Sequence, residues 1–138
     1  MRNRRILFGM LTMILMLVIL IAIFTNRTSQ LTDFVSEEFL MSQPSLHIEK
    51  VNGTKLTTID ISKPSQQEIL TLLMELPLRK TNKAYPRGEA DYRITSNENK
   101  NFDLLLYLDE NIITFHDKSK GYLVTDETFM EQVEQLLK

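Results

Sequence analysis

One stretch near the N-terminus constrains this chain more than any other. Residues 6–24, ILFGMLTMILMLVILIAIF, carry no charge, and only Gly9 and Thr12 among them are not apolar. Nineteen helical residues rise roughly 28 Å, close to the ~30 Å hydrocarbon thickness of a bilayer. A buried helix of a globular domain has a polar stripe, and this run has none. The run therefore predicts a transmembrane helix.

The flanking cations predict its direction. Arg2, Arg4 and Arg5 precede the run, whereas Arg27 alone follows it closely. Basic residues favour the cytoplasmic side of a membrane. We therefore expect a cytoplasmic basic tail over 1–5, a signal anchor over 6–24, and a single-pass protein of the cell membrane with its C-terminal domain extracytoplasmic. A cleaved signal peptide is the alternative, but its apolar run is shorter and ends in small residues.

Cysteine usage and charge exclude several classes of protein. The chain has no Cys, which excludes disulfides, thiol catalysis and a lipid-modified cysteine, and favours a bacterial source. Four of the sixteen Lys and Arg residues lie at or before Arg27, while all eighteen acidic residues follow it. The remainder thus has twelve basic and eighteen acidic residues, a net charge of −6. This balance disfavours nucleic-acid binding.

Residues 25–45 are predicted to be a juxtamembrane connector with one possible helix. Leu31, Phe34, Val35 and Phe39 recur at spacings of one to four residues, with acidic residues opposite. Such a short stripe is typical of a helix that packs on the domain or continues the anchor. The alternative is an amphipathic helix that binds a partner.

The domain proper, residues 46–138, opens with a predicted hairpin. Asn52-Gly53 separates two alternating runs, 45–51 and 54–61, and Asn-Gly is the strongest short signal for a two-residue hairpin turn. That turn places Val51 opposite Thr54. It also places four apolar side chains on one face, those of Leu46, Ile48, Ile59 and Ile61.

The remaining pattern completes an α+β fold. Residues 63–76 form an amphipathic helix, with Ser62 and Ser65 as rival N-caps, and Pro77 ends it. A loop follows over 78–91, and Thr125 or Asp126 begins the last helix. The strands between them are predicted at 92–96, 102–108, 112–116 and 122–124. The order β-β-α-β-β-β-β-α predicts a small, mainly antiparallel sheet with helices packed on one face.

No residue pattern indicates catalysis, a metal or a cofactor. His47 and His116 are far apart in the sequence, and no thiol accompanies them. No phosphate-binding loop, nucleophile elbow or zinc-helix motif is present. We expect no enzyme activity, no metal and no cofactor, and we interpret both histidines as exposed at strand edges.

Two sets of residues are candidates for partner binding. A three-residue turn after Leu108 would place Leu105 and Tyr107 beside Ile113 and Phe115, which makes both faces of this hairpin apolar. That second face is either covered by another element or open to a partner. The other set is the basic stretch 78–88, with Arg79, Lys80, Lys83 and Arg87, whose alternative interpretation is a solvated loop.

A broader pattern resembles a known type of protein. It comprises Ile59-Asp-Ile-Ser-Lys-Pro-Ser-Gln-Gln-Glu-Ile-Leu, Asp91-Tyr-Arg-Ile94, Leu104-Leu-Leu-Tyr-Leu108, Gly121-Tyr122 and the closing helix. It is similar to small membrane-anchored or lipoprotein-type extracytoplasmic domains of Gram-positive bacteria, largely of unassigned function. The resemblance covers roughly residues 59–138 and departs from the lipoproteins by lacking the anchoring Cys. It implies a cell-surface location and no catalytic residue.

Together these features predict a non-enzymatic interaction or accessory domain presented outside the cytoplasmic membrane. Its expected partners are the lipid bilayer, through residues 6–24, and a protein of the envelope. One alternative is a subunit of a membrane complex that acts through its transmembrane helix. The other is an envelope enzyme without a recognisable motif.

Overall fold

The computed structural model describes the backbone of residues 2–25, 28–80, 88–115 and 121–138, and their side chains except those of 2–8 and 25. Helix α1, Arg2–Thr25, contains the apolar run. Its large apolar side chains are exposed over at least half of their area, up to 76% for Met13.

The prediction of a transmembrane signal anchor over 6–24 is contradicted. Across the part of the chain that is described, no helix combines the length and the apolar character that a membrane crossing requires. Residues 6–8 of the predicted span lie outside the described side chains. The predicted single-pass location, with a cytoplasmic N-terminus and an extracytoplasmic domain, is contradicted by the same finding.

The α+β class is confirmed, because the described strands form an eight-stranded sheet in which every adjacent pair is antiparallel. The spatial order is β1-β4-β8-β7-β6-β5-β2-β3. The strands are β1 Thr28–Ser29, β2 His47–Asn52, β3 Lys55–Ile59, β4 Leu78–Lys80, β5 Tyr92–Thr95, β6 Asp103–Tyr107, β7 Ile112–Phe115 and β8 Tyr122–Val124. After α1, the helices are α2 Glu37–Met41, α3 Lys63–Glu75 and α4 Phe129–Leu136, with a 3-10 turn at Leu31–Asp33.

The helices cover one face of the sheet, which we call the core face. Buried side chains of α3 and α4, among them Ile69, Leu73 and Val133, form one cluster with alternate residues of the strands. The strand residues of that cluster are Ile48, Leu78, Tyr92, Ile94, Leu104, Leu106, Ile113, Phe115, Tyr122 and Val124. The prediction that helices pack on one face is confirmed.

The segment predicted as a connector contributes to this core. Leu31, Val35 and Leu40 are buried in the cluster. The Phe34 ring lies 4.7 Å from those of both Phe115 and Tyr122. Residues 31–41 form a 3-10 turn and a five-residue helix rather than one amphipathic helix, and their aromatic side chains pack on the sheet.

The hairpin turn lies one residue later than predicted, so each residue of β2 pairs two residues further along β3 than expected. Asn52 pairs with Lys55 and Val51 with Leu56, so the two turn residues are Gly53 and Thr54. Gly53 has φ +61° and is the one turn residue with positive φ. This combination is typical of a type II′ turn, which needs glycine first, rather than type I′. The predicted sharing of one face by Ile48 and Ile59 is confirmed, since these two residues pair directly.

Helix α3 agrees closely with its predicted bounds. Ser62 is its N-cap, because the Ser62 hydroxyl accepts a hydrogen bond from the Ser65 backbone N–H at 3.3 Å. Strands β1 and β4 were not predicted. They are two and three residues long, and such short strands show too few alternations for a periodic signal.

Candidate interaction surface

The turn between β6 and β7 decides which predicted partner-binding residues share a face. Tyr107 pairs with Ile112 and Leu106 with Ile113, leaving a four-residue connection rather than three. Because side chains alternate, Leu105 and Tyr107 lie on one face while Ile113 and Phe115 lie on the other. The prediction that all four share a face is therefore wrong. Ile113 and Phe115 are core residues, 1% and 3% exposed.

The opposite side of the sheet, which we call the outer face, lies outside the main core cluster. It carries the side chains of Val51, Leu56, Arg93, Leu105, Tyr107, Ile112, Thr114 and Leu123, as the strand registers require. Leu105 and Tyr107 are half-buried, whereas Leu56 and Leu123 are exposed over 49% and 37% of their area. Every buried side chain of α2, α3 and α4 belongs to the core-face cluster instead.

A shallow groove runs along this face between β3 and β6. Its volume is about 310 Å³. We call it the outer groove, and its lining is Val51, Gly53, Leu56, Glu89, Ala90, Arg93, Leu105 and Tyr107. Four of the eight are leucine, valine or tyrosine side chains from three different strands. A groove of a few hundred Å³ that combines apolar side chains with two charged residues, Glu89 and Arg93, is typical of a recognition site rather than of a solvated face.

A row of charged and titratable side chains borders the groove along β2, β5 and β6. We call it the charge ladder, and it consists of His47, Glu49, Arg93 and Asp103. The Arg93 guanidinium donates to both oxygens of the Asp103 carboxylate, Nε to Oδ1 at 2.9 Å and Nη2 to Oδ2 at 2.7 Å. Glu49 lies 3.9 Å from Arg93 and 3.5 Å from His47 Nε2. The hydrogen bond to Asp103 raises the pKa of Arg93, and the Asp103 and Glu49 charges add to this effect. The bidentate pair fixes the guanidinium plane beside the groove.

The basic residues of 78–88 are not gathered into one patch by the described residues. Arg79 and Lys80 lie on strand β4 rather than in a loop. Arg79 pairs with Leu123 on the outer face and Lys80 with Tyr122 on the core side, so the strand separates them. Lys83 and Arg87 lie outside the described residues.

Side chains that could support catalysis or hold a metal are dispersed. His47 is exposed, 46% of its side chain, as predicted, and His116 lies outside the described residues. The described ranges contain no group of three or more His, Asp or Glu positioned to hold a metal ion. A depression of about 260 Å³ beside α4 collects four acidic residues on an open surface, Asp109, Glu127, Glu131 and Glu134.

Sequence reasoning found Leu105 and Tyr107 but missed Val51, Leu56 and Arg93. The missing signal was the hairpin register. Moving the turn from Asn52-Gly53 to Gly53-Thr54 makes Leu56 the direct partner of Val51 on the outer face. Arg93 was recognisable only once β5 was placed between β2 and β6, since its neighbours come from both strands.

Known proteins add no further evidence about this surface. Comparison with protein-family models, with characterised proteins and with solved structures finds no match. The functional argument therefore depends on the chemistry of the outer face.

Proposed function

We propose that this chain is a non-enzymatic interaction domain that binds a protein partner through the outer groove. The observation that supports this most directly is the apolar lining of Leu56, Leu105 and Tyr107 on the face of the sheet opposite the helices. Leucine and tyrosine side chains at the centre of a patch with charged residues at its rim are typical of protein-binding surfaces.

The charge ladder gives the proposed site a charged side next to its apolar floor. Arg93 lines the margin of the groove and Asp103 holds it in place, while Glu89 lines the same groove. A partner that covers Tyr107 and Leu105 meets a positioned guanidinium at one side of the apolar floor. Because the bidentate bond to Asp103 occupies Nε and Nη2 of the guanidinium, Arg93 offers a partner a fixed polar rim rather than a free carboxylate-binding fork.

A site-specific photo-crosslinker tests the proposal. A benzoylphenylalanine residue is introduced at Tyr107 of the full chain, and at Thr71 on the exposed side of α3 as a matched control. We expect the Tyr107 position to yield one discrete crosslinked protein in the native cells. The Thr71 position should not yield it, and Leu56→Lys should remove it.

Three results would contradict the proposal. One is an equal yield from both positions, which indicates nonspecific contact. Another is a Tyr107 crosslink that Leu56→Lys does not reduce while circular dichroism shows the domain to be folded. Absence of any crosslinked species from Tyr107 also counts against it.

A further inference from the structure

We infer that edge strand β3 pairs with β3 of a second copy of this chain, so that the two sheets join into one. β3 is the last strand of the sheet and pairs only with β2 among the described strands. Its five residues contain no proline and no bulge, and Lys55 is their one charged residue. Lys55 is thus the one protective residue of this edge, and edge strands with so little protection add further strands readily.

The hydrogen-bond directions along β3 show which backbone groups are available. Val51 N–H donates to the Asp91 carbonyl at 2.9 Å, so β2 directs Val51 toward β5 and its neighbours Lys50 and Asn52 toward β3. Thr57 and Lys55, their partners, therefore point back to β2. Leu56 and Thr58, which alternate with these, direct their backbone N–H and C=O groups away from the sheet.

A two-fold axis through Thr57 gives hydrogen-bond partners to the outward backbone groups of both Leu56 and Thr58. Leu56 of each copy then pairs with Thr58 of the other, which forms four backbone hydrogen bonds. The strand has Lys55 at one end and Asp60 directly after the other end. Antiparallel pairing therefore brings the basic end of each strand beside the acidic end of its partner and keeps like charges apart.

The same arrangement joins the two outer faces. Leu56 is 49% exposed and lies on the groove side of β3, so pairing brings the outer grooves of the two copies next to each other. A single five-residue edge is smaller than the ~1,200–2,000 Å² of a stable interface, so the dimer is weak and depends on concentration.

A cysteine on the proposed axis tests this inference, because the chain has no other thiol. On this axis, Thr57 of one copy lies opposite Thr57 of the other as a non-hydrogen-bonded pair. In such a pair the Cα atoms are ~4.5 Å apart, so a disulfide is feasible. Thr57→Cys in the full chain is compared with Thr71→Cys, also exposed, in mild detergent that masks the apolar side chains of α1. We expect Thr57→Cys to form a disulfide dimer about tenfold faster.

Thr58→Pro, combined with Thr57→Cys in one chain, removes an outward backbone N–H. We expect it to lower the rate of disulfide formation to that of the Thr71→Cys control. Thr58→Lys is the second variant, in case proline disturbs folding. Equal rates at 57 and 71 would overturn the inference, as would a fast rate that neither Thr58 change reduces. Failure here leaves the Tyr107 crosslink unaffected, so the two proposals are tested separately.

Discussion

The core face and the outer face of this sheet are built from the same strands, yet they differ in what they contact. On β6, Leu104 and Leu106 are fully buried under the helices, whereas their neighbours Leu105 and Tyr107 are half-buried beside an open groove. On β7 the difference is smaller, since Ile112 and Ile113 are both 1% exposed although they point to opposite faces. Apolar content alone therefore does not distinguish a packed face from a proposed binding face.

What distinguishes them is the second layer. The core face receives side chains from every helix after α1, while the outer face is bordered by a ladder of charges. Charged residues at the rim border the apolar groove without filling it. The comparison predicts different costs for matched substitutions on the two faces.

The largest difference is expected between Ile113→Ala and Leu105→Ala. Ile113 lies in the packed cluster, so its truncation leaves a cavity and lowers the free energy of unfolding by about 2–5 kcal/mol. Leu105 is half-buried, and its truncation should cost about 1 kcal/mol. Urea unfolding of both variants measures the difference. Equal costs would mean that the outer face is packed as tightly as the core face.

A second prediction concerns the turn that sets which side chains reach the outer face. Gly53→Ala places a Cβ at φ +61° and should cost about 1–2 kcal/mol, although the nearest atom, Glu89 Oε2, is 4.0 Å away. Gly88→Ala is the control, because its φ is not in the left-handed region. Thermal unfolding compares them. A cost at Gly53 no greater than that at Gly88 would rule out a role for its conformation.

The charge ladder offers a third comparison, within the outer face itself. A double-mutant cycle between Arg93 and Asp103 should give a coupling of about 1 kcal/mol, because the pair is bidentate and only partly exposed. The cycle between Arg93 and Glu49, 3.9 Å apart, should give about 0.3 kcal/mol. Urea unfolding supplies both values. The reverse order would indicate that Glu49, and not Asp103, positions the guanidinium.

The sequence predicted elements better than it predicted registers. Alternation and turn residues located β5 through β8 within one or two residues, and Ser62 with Pro64 located α3. A one-residue difference at the turn after β6, however, moved Ile113 and Phe115 to the opposite face, whereas the two-residue shift at the Gly53 hairpin changed the partners of Leu56 but not its face. Asn-Gly allows two placements of the turn, and local sequence does not choose between them.

The order of the strands in the sheet could not be predicted from the sequence, for a different reason. Strand β4 lies between β1 and β8, and β2 pairs with both β3 and β5. These neighbours are set by packing of the whole core rather than by local pattern. The outer groove collects residues from 51 to 107, so its existence followed from topology and not from any motif.

The smallest expected effect concerns Asp126, which precedes α4, a helix that covers the core face. Asp126 Oδ1 accepts hydrogen bonds from the Thr128 backbone N–H at 2.9 Å and from the Thr128 hydroxyl at 2.8 Å. The backbone bond, followed by the hydroxyl bond, lowers the pKa of Asp126 below its ordinary value of 3.8. A depressed pKa stabilises the folded state above that value, and the contribution is lost as the pH falls through the folded-state pKa.

Asp126→Asn keeps an acceptor at this position but removes the charge near the start of α4. We therefore expect its Tm to be slightly below that of the unaltered chain at ~pH 7 and equal to it at ~pH 2, by circular dichroism. Comparing the two chains at each pH cancels the titration of the other carboxylates. A Tm difference that grows on acidification would show that the charge of Asp126 does not anchor this helix. The cover of the core face would then depend on the apolar side chains of α4 alone.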